Sequence, residues 1–140
     1  MKQNHHLFID IARRVARESE AVRLKVGAVI AKDGSILDFG YNGTPPGWDS
    51  NRCEIEQDDG SLISKPEVIH AEMNAMMKCA KSGRALQGAT LYLTNSPCSE
   101  CAKNIIASGI VAVYYVVNYR KTDGIDILKK AKIKVVQWWS

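Results

Sequence analysis

Two short stretches combine residue types that can hold a metal ion and move a proton. The first is Ile-His-Ala-Glu-Met-Asn-Ala over 69–75, with His70 and Glu72 two apart. The second is Asn-Ser-Pro-Cys-Ser-Glu-Cys-Ala-Lys-Asn-Ile over 95–105, with Cys98 and Cys101 three apart just after Pro97. At i and i+3 on a helix, the two thiols share one face. In a first turn, the helix dipole and unpaired N–H groups favour thiolate. Two thiolates there are half of a zinc site. Taken alone, a Cys-x-x-Cys fits a redox pair or coincidence equally well. His70 offers a third ligand and also opens a helical pattern. Residues two apart on a helix point roughly 200° away from each other. His70 and Glu72 therefore share a site only if it lies over the helix end. This puts the ion between two helix N-termini, at the sheet edge where α/β folds keep their ligand crevice.

A structural zinc is closed by four protein ligands, whereas a catalytic one keeps a position for water. Cys79 lies more than two turns beyond His70 and is read as a small core residue. Cys53 falls in a loop and is read as a plain loop residue or as a contributor to a second metal. Zinc brings bound water to a pKa near 7, and a neighbouring carboxylate can take the proton and deliver it elsewhere. Glu72 suits that task, although a first-turn Glu also simply stabilises a helix.

The elements that must position these residues follow from the rest of the chain. Its 140 residues suit one domain over 1–140 with one buried core. No apolar run reaches the roughly 20 residues that span a bilayer. The start, Met-Lys-Gln-Asn-His-His-Leu-Phe-Ile-Asp, carries charge within its apolar pattern and does not read as a secretory segment. A cytoplasmic protein is expected, in which four cysteines favour metal or catalytic use over disulfides. The net charge of +4 suits an anionic small molecule, and no long basic run or Arg/aromatic interleaving suggests nucleic acid. His5-His6 are read as solvent-exposed.

Helical spacing of Leu7, Ile11 and Val15 predicts a helix from about His5 to Ser19. Val26–Ala31 and the stretch 35–42 form a strand–turn–strand hairpin across Lys-Asp-Gly. Residues 43–65 read as one long loop, functional or mobile. A helix runs from Ile69 through Met73, Met76, Met77 and Ala80, its methionines read as core filler. Then come a strand (89–95), a helix opened by Pro97 and closed by Gly109, a doubly buried strand (110–118), a short helix (124–132) and a last strand (133–139). Strands alternating with helices lie parallel. The fold class is α/β, a three-layer α/β/α arrangement with a mixed five-stranded sheet.

His-x-Glu followed by Pro-Cys-x-x-Cys marks zinc-dependent nucleobase deaminases. Here it stands as His70-Ala71-Glu72 and Pro97-Cys98-Ser99-Glu100-Cys101. The resemblance covers nearly the whole chain and implies a cytidine deaminase-like fold. "VGAVI", "GYNGTPPGWD", "HAEMNA", "SPCSECAKNIIASGI" and "YYVVNYR" resemble deoxycytidylate (dCMP) deaminases most. The tRNA-adenosine deaminases typically carry Glu before Pro-Cys and continue differently after His-Ala-Glu; this chain has Ser96 and Asn74 there. Free-nucleoside cytidine deaminases generally use Cys at the place of His70, and riboflavin-pathway deaminases carry a second domain.

The resemblance implies hydrolysis of dCMP to dUMP and ammonia, supplying dUMP for dTMP synthesis. Water adds at C4 while Glu72 takes its proton, protonates N3 and assists departure of ammonia. His70, Cys98 and Cys101 are the implied zinc ligands. Asn42 and Asn74 match positions near the sugar and base, with Ala71 and Ser96 beside them. Tyr115 matches an aromatic platform by the base, and fits strand packing equally well. Ser19, Arg23, Lys25 and Arg120 are candidates for the phosphate. Family members often read Ser-x-Asp where this chain has Ser19-Glu20-Ala21, and Arg120 suits a subunit contact as well. Many relatives are homo-hexamers activated by dCTP and inhibited by dTTP, with Mg²⁺ accompanying the triphosphate. The loop containing Gly40, Tyr41, Asn42 and Gly43 matches the region tied to that regulation. Two rival readings are a deaminase of a base in RNA or single-stranded DNA, which predicts a basic groove, and a non-catalytic zinc-stabilised interaction module, which predicts a fourth ligand.

Overall fold

A computed structural model describes residues 4–119 and 121–138. The elements in chain order are α1 (His5–Ala16), β1 (Gly27–Lys32), β2 (Ser35–Tyr41), β3 (Glu54–Glu56), β4 (Leu62–Ser64), α2 (Ala71–Lys81), β5 (Thr90–Asn95), α3 (Ser99–Ser108), β6 (Ala112–Val117), α4 (Asp123–Lys130) and β7 (Lys134–Gln137). Asp33 and Gly34 both take positive φ, 52° and 79°, which gives the two-residue turn between β1 and β2 the twist a hairpin needs. The main sheet has the order β2-β1-β5-β6-β7. β1 is antiparallel to both β2 and β5, while β5, β6 and β7 run parallel. The mixed five-stranded sheet is thus the one expected, and the parallel half arises because each of its crossovers is a helix.

Alternation along the central strands sends side chains to two cores. Leu91, Leu93, Val113 and Tyr115 pack with Ala71, Ala75, Met76 and Cys79 of α2, Ala102 and Ile105 of α3, and Ile125 and Leu128 of α4. Val29, Tyr92, Ala112 and Tyr114 pack on the other side against Phe8, Ile9 and Ala12 of α1. Three helices on one face and one on the other make the α/β/α layers.

Three sequence expectations change. The first helix ends at Ala16 rather than Ser19, because the amides of Arg17, Glu18 and Ser19 turn tightly onto carbonyls three residues back. The stretch 43–65 is not one loop: Glu54–Glu56 and Leu62–Ser64 pair as a small antiparallel sheet. Strands of three residues carry too little alternation to show in a polar sequence. His5 is half-buried, its Nδ1 2.8 Å from the Tyr92 hydroxyl and its ring 4.2 Å from that of Tyr114, whereas His6 is exposed. Cys79 is in the core as expected, and Cys53 is buried as well.

Candidate functional site

His70 is the N-cap of α2 and Cys98 the N-cap of α3, both with extended backbones. Extended caps turn the side chains across the helix ends, where the first N–H groups have no partner within the helix. Cys98 Sγ accepts from the Cys101 N–H at 3.5 Å. His70 Nδ1 lies 3.5 Å from Cys98 Sγ and 3.3 Å from Cys101 Sγ. Ile69, just before the cap, is held by a two-way backbone pairing with Gly43, at 2.8 and 3.1 Å. The three ligand atoms all lie within 4.8 Å of one another, and neither Cys53 nor Cys79 belongs to the group. One imidazole and two thiols at this spacing fit zinc, with three protein ligands and a position left for another.

Charge in the cluster is uneven. The Cys98 thiol is pulled down to about 3, first by its hydrogen bond with Cys101 and then by that with His70. The Cys101 thiol is pushed up, first by Cys98 and then by burial, so the negative charge of the pair sits on Cys98. His70 is raised, chiefly by its hydrogen bond to Cys98. Metal binding would expel the remaining protons. Glu72, in the first turn of α2, is 4% exposed. Burial pushes its carboxyl up to about 7, against the opposing pull of backbone hydrogen bonding and His70. Such a group passes between acid and base near neutrality.

A cavity of about 620 Å³ opens over the cluster. His70, Ala71, Glu72 and Cys98 line its floor side; Arg23, Leu24 and Asn42 form one wall, Ser64 and Lys65 another, and Asn95, Ser96, Asn118 and Tyr119 a third. Of the residues singled out in the sequence, Arg23, Asn42, Ala71 and Ser96 therefore meet the cavity together with the His/Cys/Glu set. Asn42 has its amide engaged: Oδ1 accepts from the Val26 N–H at 2.9 Å and Nδ2 donates to the Leu24 carbonyl at 2.8 Å. It shapes the wall formed by 24–26. Ser96 Oγ accepts from the Tyr119 N–H at 2.6 Å and so ties two segments of the third wall together.

Other candidates are placed elsewhere. Ser19 Oγ donates to the Asn42 carbonyl at 2.7 Å and accepts from the Ala21 N–H at 3.1 Å. Lys25 Nζ donates to the Ser19 carbonyl, and neither residue lines the cavity. Asn74 Nδ2 donates to the Tyr41 carbonyl at 2.7 Å, joining α2 to β2 rather than facing the cavity. Tyr115 is 6% exposed in the core beneath α2, α3 and α4, so strand packing, not a cavity-facing platform, describes it. The nearby aromatic that does line the cavity is Tyr119. Arg120 lies outside the described residues. Gly40 presses on α2, where a Cβ would come 2.5 Å from the Ala75 nitrogen, and Gly43 pairs with Ile69. Both glycines, like Tyr41, stand off the cavity. Sequence reasoning missed Lys65, Asn95, Asn118 and Tyr119. Asn95 opens the stretch that carries Cys98 and Cys101, Asn118 and Tyr119 lie in the Tyr-Tyr-Val-Val-Asn-Tyr-Arg tract, and Lys65 ends the 43–65 stretch, so the signal was there as motif context without a role attached.

Comparison with known proteins agrees with this geometry. Residues 2–117 match the family described as cytidine and deoxycytidylate deaminase zinc-binding region. The chain is 35% identical over 166 residues to the deoxycytidylate deaminase of Enterobacteria phage T4, covering 91% of this chain and 86% of that one. It is 43% identical, with a TM-score of 0.89, to the dCMP deaminase of cyanophage S-TIM5 solved in complex with dCMP and dUMP; the match covers 95% of each chain. A diaminohydroxyphosphoribosylaminopyrimidine deaminase/reductase of Thermotoga maritima shares the fold at a TM-score of 0.71 and 26% identity, over 95% of this chain but 36% of that one.

Proposed function

This chain belongs to the cytidine and deoxycytidylate deaminase family, and on that premise we propose that it hydrolyses dCMP to dUMP and ammonia. The observation that carries the reading is the buried carboxyl of Glu72 in the wall of the cavity that His70 and Cys98 also line. A closed four-ligand site, as an inert zinc module needs, would leave no such arrangement its purpose. His70, Cys98 and Cys101 would hold zinc, which when bound supplies a Lewis acid that makes water acidic enough to lose a proton near neutrality.

The chain's own residues do the rest. Glu72 accepts one proton from the attacking water and delivers it to N3 of the cytosine ring, then takes the remaining proton of the added hydroxyl and passes it to the exocyclic amino group, which leaves as ammonia while C4 becomes a carbonyl. Each transfer asks the carboxyl to switch state, which a group sitting near neutral pKa does with little cost. Protonation at N3 relieves the negative charge that addition at C4 builds in the ring. Ala71 and Ser96 line the place of the base, and Asn42 sets the wall beside the sugar. Arg23 and Lys65 bring positive charge to the same cavity, which suits a 5′-phosphate. Mild net charge favours a mononucleotide over a polynucleotide.

The finer reading is a cytoplasmic homo-hexamer that supplies dUMP for dTMP synthesis, activated by dCTP and inhibited by dTTP with Mg²⁺. The test is ammonia release from dCMP, deoxycytidine and a cytidine-containing oligonucleotide, with and without dCTP and Mg²⁺, on protein of known zinc content. Turnover of dCMP, raised by dCTP, is expected. Turnover of only the nucleoside or oligonucleotide overturns the substrate. A monomer by light scattering overturns the hexamer.

A further inference from the structure

We infer that Glu54 and Ser64, a cross-strand pair of the small sheet, form a clamp that positions Arg23 on the cavity rim for the phosphate of the substrate. The inference rests on the dCMP reading above. Glu54 is a charged residue only 4% exposed. A buried carboxylate is costly unless donors meet it. Its Oε2 accepts from the backbone N–H groups of Val22 and Arg23, at 2.9 and 3.1 Å. Those amides lie in an irregular segment between α1 and β1, with no ladder to satisfy them.

Directly opposite Glu54 in the β3–β4 register stands Ser64. Its Oγ accepts from Arg23 Nη1 at 3.4 Å. One rung of the hairpin therefore touches Arg23 at both ends, backbone and guanidinium. Arg23, Ser64 and the following Lys65 all line the cavity. The hairpin base is itself tied by the Lys65 N–H to the Cys53 carbonyl at 2.8 Å. An exposed arginine loses much rotamer freedom when it engages an anion. A clamp removes part of that freedom beforehand, so its effect falls on binding of a phosphorylated substrate. The negative charge of Glu54 does not oppose the anion outright, because it is met by two N–H donors on the segment it holds.

The experiment compares KM and kcat for dCMP in the zinc-loaded full chain and in Glu54→Ala, Glu54→Gln and Arg23→Ala. Glu54→Ala is expected to raise KM about tenfold, the size of one charge-assisted contact, with kcat little moved. Glu54→Gln keeps an oxygen acceptor and is expected to recover most of that loss. In the Arg23→Ala background, Glu54→Ala is expected to add no further rise. A loss confined to kcat, a KM like that of the parent, or a full additional rise without Arg23 overturns the clamp. If Glu54→Ala does not fold, Ser64→Ala makes the same comparison from the other end, alone and with Arg23→Ala. Absence of dCMP turnover in the zinc-loaded parent would instead overturn the substrate reading, which separates the two failures.

Discussion

The imidazole Nδ1 of His70 lies 3.3 Å from the sulfur of Cys101, although 31 positions separate them in the chain. The contact joins the starts of α2 and α3, which contribute to the same core on one face of the sheet. Nothing local to either motif enforces it. It exists because β1 and β5 are neighbours, so that α2, laid over β2 and β1, and α3, which follows β5, cover the same face.

Removal of either thiol leaves two ligands, too few to hold zinc tightly. Cys98→Ala and Cys101→Ala are expected to emerge with only background zinc by elemental analysis. Full zinc occupancy in either variant would contradict the assignment of the ligands.

Glu72→Gln keeps the shape of the side chain and removes the ionisable carboxyl that accepts and donates the proton. Zinc content is expected to match the parent, while kcat for dCMP falls by about 10²–10⁴-fold. Turnover within a few-fold of the parent would end the proton-carrier role.

Gly40 has no room for a side chain: a Cβ would meet the Ala75 nitrogen at 2.5 Å and the Ala71 carbonyl at 2.7 Å. Both atoms are backbone of α2, so they cannot swing aside. Gly40→Ala is expected to cost about 1–3 kcal/mol in urea unfolding. It should also weaken zinc retention, since Ala71 follows His70. A variant as stable as the parent would show that α2 can slide on β2.

The His5 pKa is lowered from 6.5, chiefly by burial, with Lys134 and His6 adding to it. The unfolded chain then takes up a proton before the folded one does. The stabilisation is present above 6.5 and is lost as pH falls through the depressed value. His5→Phe, which keeps an aromatic beside Tyr114 but cannot titrate, is expected to flatten the fall in urea midpoint between about pH 7 and 5. An unaltered slope would assign the acid sensitivity to other groups.

Much of the architecture was legible because it is written in local patterns. Apolar spacing gave the helices and main strands, and Gly109 at φ 90° closes α3 where a helix-ending glycine was expected. The two-residue spacing of His70 and Glu72 already required a site over a helix end, and His70 is indeed an N-cap. The β3–β4 pair escaped notice because its strands are only three residues each, too short to show an alternation. The walls of the cavity escaped for a different reason. Asn42, Asn74 and Ser19 are candidates through the family resemblance and the phosphate reading; the structure shows each using its side chain on a backbone partner 16 to 33 positions away, with Asn42 also lining the cavity.

By itself, then, the sequence determined which chemistry was possible: an imidazole, two thiols and a carboxyl at helix starts, within an alternating pattern that makes a parallel-rich sheet. Residue type and short-range spacing carry that information directly, because caps and helix faces are properties of a few consecutive residues. Tertiary structure alone decided that those groups meet, that Tyr115 is covered while Tyr119 lines the cavity, and that Lys65 and Arg23 line the same cavity as Glu72. Those outcomes depend on strand order and on which side chains the fold covers. They are set by burial of the whole apolar surface, which no single stretch of the chain contains.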